Sequence, residues 1–259
     1  MIYNDIAEYR SFLETSLSVS TARTYAGAVA TLLRDQNITS VNNINIEKVI
    51  EYFESFGNIK YKNQYSKYKN AFLKFCDFMN IELDKDSLNK IYAMTDDKKK
   101  KRRNLKKIDF KKVNNRINLI RDNKLKLSFV TMLNTGLRVS ELSQVKKSDC
   151  KFESDSLKMN FIGKGGDQEF VIIYQEKDKT FFDRISVLLN ETSEDEKVFY
   201  STGYLQKEAN KREFGCHDLR RAFAKISYKE CKSMIEVKKL LRHKEIKNTK
   251  IYLKSKVKL

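Results

Sequence analysis

Two basic motifs near the C-terminus contain both histidines of this 259-residue chain. In CHDLRRAFA, His217 and Arg220 are three residues apart, a spacing that puts two side chains on one face of a helix. In LLRHKEIKNTKIYLK, Tyr252 follows His243 by nine residues. An imidazole exchanges protons near neutral pH and a tyrosine hydroxyl is a nucleophile. These motifs therefore hold groups for proton transfer and for attack.

Two further motifs, earlier in the chain, each add a cation. Arg138 follows the Gly136 turn in NTGLRVSEL, with Glu141 three residues later, and Lys164 lies at the tip of the glycine-rich segment FIGKGGDQEF. Each motif alone has an ordinary explanation, because Arg138 also suits a salt bridge with Glu141 and Lys164 also suits a turn. Only the order and spacing of the four motifs together indicate a reactive site.

These groups have the chemistry needed to hold and cleave a phosphodiester. Two guanidiniums present planar forks of donors to the non-bridging oxygens, and an ammonium and two imidazoles add further donors. A tyrosine has a pKa of about 10, so Tyr252 needs a base or a cationic environment in order to attack. Because the motifs bring no cluster of carboxylates for Mg²⁺, we predict a reaction without a metal or any other cofactor.

The composition favours a polyanionic partner and a globular fold. Lysine and arginine number 52 against 34 acidic residues, a formal net charge of +18, and 41% of the residues are hydrophobic. The four cysteines are scattered without a C-x-x-C pair, which argues against structural zinc and favours a reducing compartment. With no apolar signal core and no apolar run of about 20 residues, we expect a cytoplasmic protein without a membrane segment.

The first third of the chain has the periodicity of amphipathic helices. We predict four helices over residues 1–93. The second helix is capped by Ser18 or Ser20, and the third is capped by Asn45 and ended by Gly57.

The fourth of these helices, over about 62–79, carries an aromatic stripe and interleaved lysines. We interpret the stripe as helix core rather than as a base-stacking surface, and Lys62 and Lys69 as phosphate contacts that carry no sequence information. The next segment, 94–104, has charge without apolar periodicity and is predicted to be an interdomain linker. Its six consecutive cations would also follow a phosphate backbone: Lys98, Lys99, Lys100, Lys101, Arg102 and Arg103.

From residue 105 onward the pattern is helical, then briefly β, then helical again. Alternation on both sides of 163–166 predicts a β-hairpin with a glycine-rich turn. Helical periodicity resumes near Lys179 and again through 219–226. The predicted fold class is therefore mostly α, with a small antiparallel β-sheet in the second domain.

The order Arg, Lys, His-x-x-Arg, His and Tyr resembles that of the tyrosine recombinase (phage integrase) family, over most of the chain. TGLRVSEL is similar to the first arginine box of that family, and the glycine hairpin to its lysine hairpin. HDLRRAFA is similar to the second box and LLRHKEIKNTKIY to the last. Two positions depart from the pattern: Arg242 stands where a glycine commonly precedes the last histidine, and Cys216 where a proline commonly precedes the first. Neither departure removes a reacting group, but Arg242 bears on how the turn before His243 is built.

The resemblance implies a role for each candidate residue. The phosphate-holding cluster would be Arg138, Arg220 and His243, with Glu141 in support. Tyr252 would be the nucleophile, His217 would accept or position its proton, and Lys164 would protonate the 5′-oxygen leaving group. The product would be a 3′-phosphotyrosyl bond, which conserves the energy of the broken linkage, so that no ATP is needed.

The resemblance also implies a two-domain clamp around double-stranded DNA. Residues 1–93 would be a core-binding (SAM-like) domain, 94–104 the basic linker and 105–259 the catalytic domain. The protein would be a monomer when free and a homotetramer on DNA, without an extra arm-binding domain before the first helix. The seven residues after Tyr252 would dock on a neighbouring subunit. The expected activity is site-specific recombination, such as integration or excision of a mobile element. An accessory directionality factor is a possible further partner.

Three other functions are weighed against this one. A type IB topoisomerase shares the tyrosine chemistry but relaxes supercoils as a monomer. A non-catalytic DNA-binding regulator on the same scaffold would have no reason to retain Tyr252 in this setting. A generic basic helical protein that binds RNA is disfavoured, because the sequence lacks the signatures of RNA-binding modules and the order of the boxes would be unexplained.

Overall fold

The computed structural model describes residues 2–55, 65–93, 108–254 and 257–258. The chain divides into two compact units, Met1–Arg103 and Asn104–Leu259, so the division falls inside the predicted 94–104 linker. The six linker cations, Lys62 and the predicted helix end at Gly57 lie outside the described residues.

The described part of the first unit contains five α-helices, not the predicted four. They are α1 (Ile2–Glu14), α2 (Val19–Asp35), α3 (Ile46–Ser55), α4 (Tyr65–Met79) and α5 (Lys85–Ala93). The helix that the prediction missed is α5, whose nine residues provide little apolar periodicity, with Ile91 as a fully buried member. Its start is fixed instead by Asp84, whose carboxylate accepts a hydrogen bond from the Ser87 N–H at 2.8 Å.

Two of the predicted helix caps are confirmed. The Ser18 hydroxyl accepts the Thr21 N–H at the start of α2, and the Asn45 side chain accepts the Lys48 N–H, at 3.1 Å, at the start of α3. Each cap satisfies a donor that the first turn of a helix leaves unpaired, and an exposed cap of this kind typically stabilises by about 1 kcal/mol.

The aromatic stripe of α4 is core, as predicted. Its buried members include Tyr65, Phe72 and Phe75, and the Phe53 ring of α3 packs edge-on against two of these rings at 5.7 and 5.8 Å. The assignment of Lys69 as a phosphate contact needs correction, because that side chain is only 8% exposed within the folded protein. A surface phosphate contact needs an ammonium that is presented to solvent.

The described part of the second unit contains eight α-helices around a small sheet. The helices are α6 (Phe110–Asn118), α7 (Asn123–Thr135), α8 (Val139–Leu142), α9 (Lys179–Asn190), α10 (Thr202–Lys211), α11 (Cys216–Cys231), α12 (Met234–Leu240) and α13 (Ile246–Leu253). The strands are β1 (Ile108–Asp109), β2 (Cys150–Glu153), β3 (Ser156–Ile162), β4 (Gln168–Tyr174) and β5 (Val257–Lys258). The fold class is thus mostly α with a small antiparallel sheet, as predicted.

The predicted hairpin is formed by β3 and β4, which pair antiparallel from Ser156 with Tyr174 to Ile162 with Gln168. The strand β2 extends this hairpin to an antiparallel sheet in the order β2-β3-β4. The prediction missed β2 because its side chains are partly or fully exposed throughout and lack the alternation that marks a half-buried strand.

The end of the described chain pairs with its own unit. Val257 and Lys258 of β5 lie parallel to Ile108 and Asp109 of β1. The expectation that this tail docks on a neighbouring subunit stays a prediction about an assembly on DNA. Of the helices that the structure describes, none is long and apolar enough to cross a membrane.

The core of the second unit forms around α7. Phe129 is fully buried on this helix and packs edge-on against Phe214, with ring centroids 5.2 Å apart. Leu137 and Leu219 are also fully buried in the same cluster, and complete burial of such a side chain contributes about 1.5–3 kcal/mol. Because Leu137 and Leu219 each belong to a candidate motif, the core itself holds the two motifs in place.

Candidate active site

The first motif lies at a sharp turn between α7 and α8. Gly136 ends α7 with a φ of 64°, and a Cβ atom there would collide with the Phe223 ring of α11. Glycine has no Cβ, so it accommodates both the left-handed backbone and the close approach of the Phe223 ring. The turn places Arg138 at the start of α8, where the Glu141 carboxylate accepts its backbone N–H at 2.7 Å and also pairs with its guanidinium.

The second motif forms the first turns of α11. Gly215 donates its N–H to the Asp218 carboxylate at 2.8 Å, which satisfies a donor at the helix start. The helix then begins at Cys216, so that His217 and Arg220 lie on one face, a turn apart. His217 keeps exposed surface, whereas Arg220 is 0% exposed.

Arg220 joins the first motif to the last. Its Nη1 donates to the carbonyl of Gly136 and its Nη2 to the carbonyl of Leu241, while Nη1 lies 3.7 Å from a Glu141 carboxylate oxygen. The Nε atom is buried and has no hydrogen-bond partner among the described residues. An anion entering the site would meet a donor whose position is already fixed.

The last motif turns back immediately after α12. The Arg242 N–H bonds to the Lys239 carbonyl at 2.9 Å and the His243 N–H to the Lys238 carbonyl at 3.1 Å, the pair of bonds that defines a Schellman motif. Arg242 occupies the left-handed position of this motif, with a φ of 53°. The turn directs His243 into the unit, where it is 7% exposed.

His243 and Tyr252 meet in a buried corner of the same unit. The Nδ1 atom of His243 lies 3.0 Å from the Thr249 hydroxyl, which is itself fully buried. The His243 and Tyr252 rings have centroids 5.0 Å apart and are tilted by 58°. Tyr252 packs against a small apolar cluster of Ala224, Val237 and Leu241. The candidate nucleophile is therefore next to the cations of its own chain.

Burial, together with the crowding of cations, lowers the pKa of both histidines. Burial, followed by Arg220 and Arg138, lowers the pKa of His243 to about 4. Partial burial, followed by Arg221 and Arg220, also lowers the pKa of His217, which retains exposed surface. Both imidazoles are consequently neutral at pH 7, and each has one donor and one acceptor nitrogen.

The two buried guanidiniums of the site remain charged. Burial, followed by Arg138, lowers the pKa of Arg220 to about 10, while Glu141 opposes the shift. Burial also lowers the pKa of Arg242, and Glu141 and Glu169 oppose that shift. The site therefore combines two neutral imidazoles with fixed positive charge, an arrangement that suits a phosphate anion.

Lys164 is exposed in the turn between β3 and β4. The turn is closed by a hydrogen bond from the Gly163 N–H to the Asp167 carbonyl at 2.8 Å. The same hairpin reaches the last motif through Glu169, whose carboxylate lies 3.1 Å from the Nε atom of Arg242.

The structure thus brings six of the predicted site residues together: Arg138, Glu141, His217, Arg220, His243 and Tyr252. Lys164 lies on the hairpin whose Glu169 contacts Arg242 of the last motif. Sequence reasoning missed Thr249, which no spacing rule singles out, and Glu169, whose importance depends on a contact distant in sequence. The sequence shows the departure at Arg242 but not its partner, Glu169.

A profile of the phage integrase family matches residues 82–258. The match includes all four motifs and most of the chain, so the chain belongs to that family.

Two named relatives are similar in sequence. Over 161 residues the chain is 29% identical to tyrosine recombinase XerA of Saccharolobus solfataricus, covering 60% of this chain and 54% of the relative. It is 24% identical over 251 residues to tyrosine recombinase XerH of Campylobacter jejuni, covering 82% of this chain and 68% of the relative. The chain spans about half the length of the first of these relatives.

Solved structures of similar fold include complexes with DNA. A lambda integrase tetramer bound to a Holliday junction matches with a TM-score of 0.72 at 15% identity, covering 98% of this chain and 78% of that chain. XerH bound to a palindromic difH substrate, in a post-cleavage complex, matches with a TM-score of 0.66 at 19% identity, covering 90% and 76%. At these identities the likeness concerns the fold.

Proposed function

We propose that this chain is a site-specific DNA recombinase that cleaves and rejoins strands through a 3′-phosphotyrosyl intermediate. The observation that carries the proposal is the convergence of Arg138, Arg220 and His243 beside Tyr252 within one unit. Membership of the phage integrase family and the two relatives named tyrosine recombinases support it.

The reaction begins when a phosphodiester enters the cluster. The guanidiniums of Arg138 and Arg220 and the His243 imidazole donate to its non-bridging oxygens and stabilise the charge that develops there. Glu141 pairs with Arg138 and lies near Arg220, so it orients both forks before substrate arrives. Each donor that is held in place in this way typically contributes about 10²–10³ in rate.

Proton transfers complete the step. The Tyr252 oxygen attacks phosphorus, and His217, neutral at pH 7 because its pKa is lowered, accepts or positions the tyrosine proton. The bond from phosphorus to the 5′-oxygen breaks, and Lys164 supplies the proton that this oxygen takes up. Reversal of these transfers rejoins the strand. The cationic set holds the phosphate without a metal or a nucleotide.

The substrate we propose is double-stranded DNA in the cytoplasm, to which both units bind. The net charge of +18 supports a polyanionic partner. Lys62 and the cations of Lys98–Arg103 stay predicted phosphate contacts. Assembly of monomers into a tetramer on DNA is supported by the lambda integrase tetramer of similar fold. Integration or excision of a mobile element would be the biological setting, with or without a directionality factor.

Covalent trapping tests the proposed chemistry. The substrates are nicked duplexes that together cover the DNA flanking the gene. Cleavage near the nick releases a short fragment that diffuses away, so the strand cannot be rejoined and the enzyme stays covalently attached. We expect an adduct with the parental protein in excess EDTA and without nucleotide. Tyr252→Phe should abolish the adduct while DNA binding persists, because only the attacking oxygen is removed.

Tyr228→Phe is the matched control, since Tyr228 is 38% exposed on α11. An adduct that persists in Tyr252→Phe, or a strict requirement for added metal, would overturn the proposal. Relaxation of supercoils by a monomer, without strand exchange between duplexes, would indicate a type IB topoisomerase instead.

A further inference from the structure

Arg242 occupies a backbone position that disfavours its own side chain. It is the left-handed residue of the Schellman turn after α12, with a φ of 53°, a position that glycine usually takes because it has no Cβ. An exposed left-handed lysine at the end of α11, Lys232, also has a φ of 53° and points into solvent. Arg242 differs because its side chain is only 14% exposed.

The buried Arg242 side chain contacts both strands of the lysine hairpin. Its guanidinium lies over the Phe161 ring of β3, 5.2 Å from the centroid, and its Nε lies 3.1 Å from the Glu169 carboxylate of β4. Phe161 and Glu169 are directly opposed partners in the sheet register. One side chain thus holds a cross-strand pair just below the turn that carries Lys164.

The hairpin is shaped to receive these contacts. A Cβ atom on Gly163 would come within 2.7 Å of a Glu169 carboxylate oxygen, so glycine there leaves the space in which the carboxylate meets Arg242. On the other side of the turn, the Lys244 Nζ lies 3.5 Å from where a Cβ of Gly165 would be. The residues before and after His243 therefore both reach the hairpin, while His243 itself faces Thr249 and Tyr252.

We propose that Arg242 is a positioning residue, which fixes the hairpin against the last motif and so sets where Lys164 meets the 5′-oxygen. The inference rests on the proposed function. In the cleavage step the Tyr252 hydroxyl gives its proton to His217 and its oxygen bonds to phosphorus, the bond from phosphorus to the 5′-oxygen breaks, and the proton passes from Lys164 to that oxygen. Among the described residues of the last motif, Arg242 makes the ion pair and the ring contact to the strands of the hairpin, and Lys244 comes near Gly165 in the exposed turn that carries Lys164.

The alternative is that Arg242 binds the phosphate itself. Its Nε and Nη2 atoms are both buried without a hydrogen-bond partner among the described residues, and its charged neighbours are Glu141, Glu169 and Arg138. A phosphate contact would stabilise charge on the non-bridging oxygens whatever the leaving group, whereas a positioning role would matter only when the leaving group needs a proton. The two roles are therefore separable by changing the leaving atom.

The decisive substrate replaces the 5′-bridging oxygen at the cleaved position with sulfur. A thiol has a pKa of about 8.5, so a thiolate leaves without a proton donor. We expect Arg242→Asn to cleave the oxygen substrate about 10²-fold more slowly than the parental protein, because a misplaced catalytic group costs about that much. On the sulfur substrate it should cleave at close to the parental rate. Asparagine is chosen because it tolerates the left-handed backbone.

Two further variants sharpen the test. Glu169→Gln keeps the shape of the partner and removes its charge, so it should show the same dependence on the leaving atom. Combined with Arg242→Asn, it should add little further loss, because both changes remove one contact. Lys232→Asn is the matched control, since it changes a left-handed cation that does not touch the hairpin, and it should cleave both substrates at the parental rate.

The outcomes separate the proposals. Equal loss by Arg242→Asn on the oxygen and sulfur substrates would overturn the positioning role and assign Arg242 to phosphate binding or to folding. Parental rates on both substrates would show that Arg242 has no role in cleavage. If the parental protein cleaves neither substrate, the proposed function itself fails.

Discussion

The two cations to which the proposed reaction gives different tasks are held in different ways. Arg220 is 0% exposed and is anchored by two backbone carbonyls and a nearby carboxylate. Lys164 is exposed on a hairpin turn, and the hairpin is docked by the Arg242 and Glu169 pair. A group that stabilises charge works best when it is fixed before substrate arrives. A group that delivers a proton needs only to reach one atom, so it can be carried on a docked element.

This contrast predicts that replacing the two cations will have different effects on stability and on cleavage. A change at Arg220 should damage both the fold and the chemistry. A change at Lys164 should damage the chemistry alone.

The largest expected effect is that of Arg220→Lys. A lysine keeps the charge but cannot donate hydrogen bonds to the Gly136 carbonyl, the Leu241 carbonyl and a phosphate at the same time. We expect cleavage to fall by about 10³-fold, since a fixed donor to the transition state is lost. Stability should fall by about 3 kcal/mol, because buried partners are left unpaired. Chemical denaturation beside single-turnover cleavage measures both. Unchanged stability would show that Arg220 does not join the motifs as described.

Next in size is the effect of Lys164→Ala. Loss of a general acid typically lowers a rate by about 10²–10⁴-fold, so we expect cleavage of the oxygen substrate to fall within that range. The folding free energy should change by less than about 0.5 kcal/mol, because the side chain is exposed. Cleavage of the sulfur substrate should be spared. A loss of stability as large as that expected for Arg220→Lys would contradict the contrast between the two cations.

The smallest expected effect concerns the pH dependence of stability. The pKa of His243 is lowered to about 4 in the folded state, below its ordinary value of about 6.5. As the pH falls, the unfolded chain therefore takes up this proton before the folded protein does. The stability that neutral His243 contributes is complete above pH 6.5 and is lost as the pH falls towards 4. The slope is at most one proton, about 1.4 kcal/mol per pH unit.

His243→Asn should reduce this slope, because asparagine does not titrate. Urea unfolding of both proteins at pH 7 and pH 5 measures the difference between them. An identical slope in the two proteins would show that His243 is not buried as a neutral imidazole.

Much of the site could be predicted from the sequence because its reacting residues lie in short motifs. The helical start of α11 places His217 and Arg220 together by spacing alone, and the Gly136 turn is a local signal. What could not be predicted depends on tertiary contacts, both between distant segments and within a motif. Glu169 matters only because the hairpin meets the turn after α12, and Thr249 only because His243 turns inward.

The fold shows the same division. Long periodic helices such as α2 and α4 were predicted, as were the caps at Ser18 and Asn45. The short helix α5 and the exposed strand β2 were missed, because neither has enough apolar residues to show a period. Lys69 appeared to be a surface cation because burial of a long side chain cannot be read from composition.

The most direct test of the account is to locate the covalent bond. The trapped complex would be treated with nuclease and trypsin, and the nucleotide-bearing peptide identified by mass spectrometry. We predict the adduct on the tryptic peptide 251–254, at Tyr252, joined to a 3′-phosphate, with a free 5′-hydroxyl on the released strand. An adduct at another residue, or a 5′-phosphate linkage to the protein, would contradict the account.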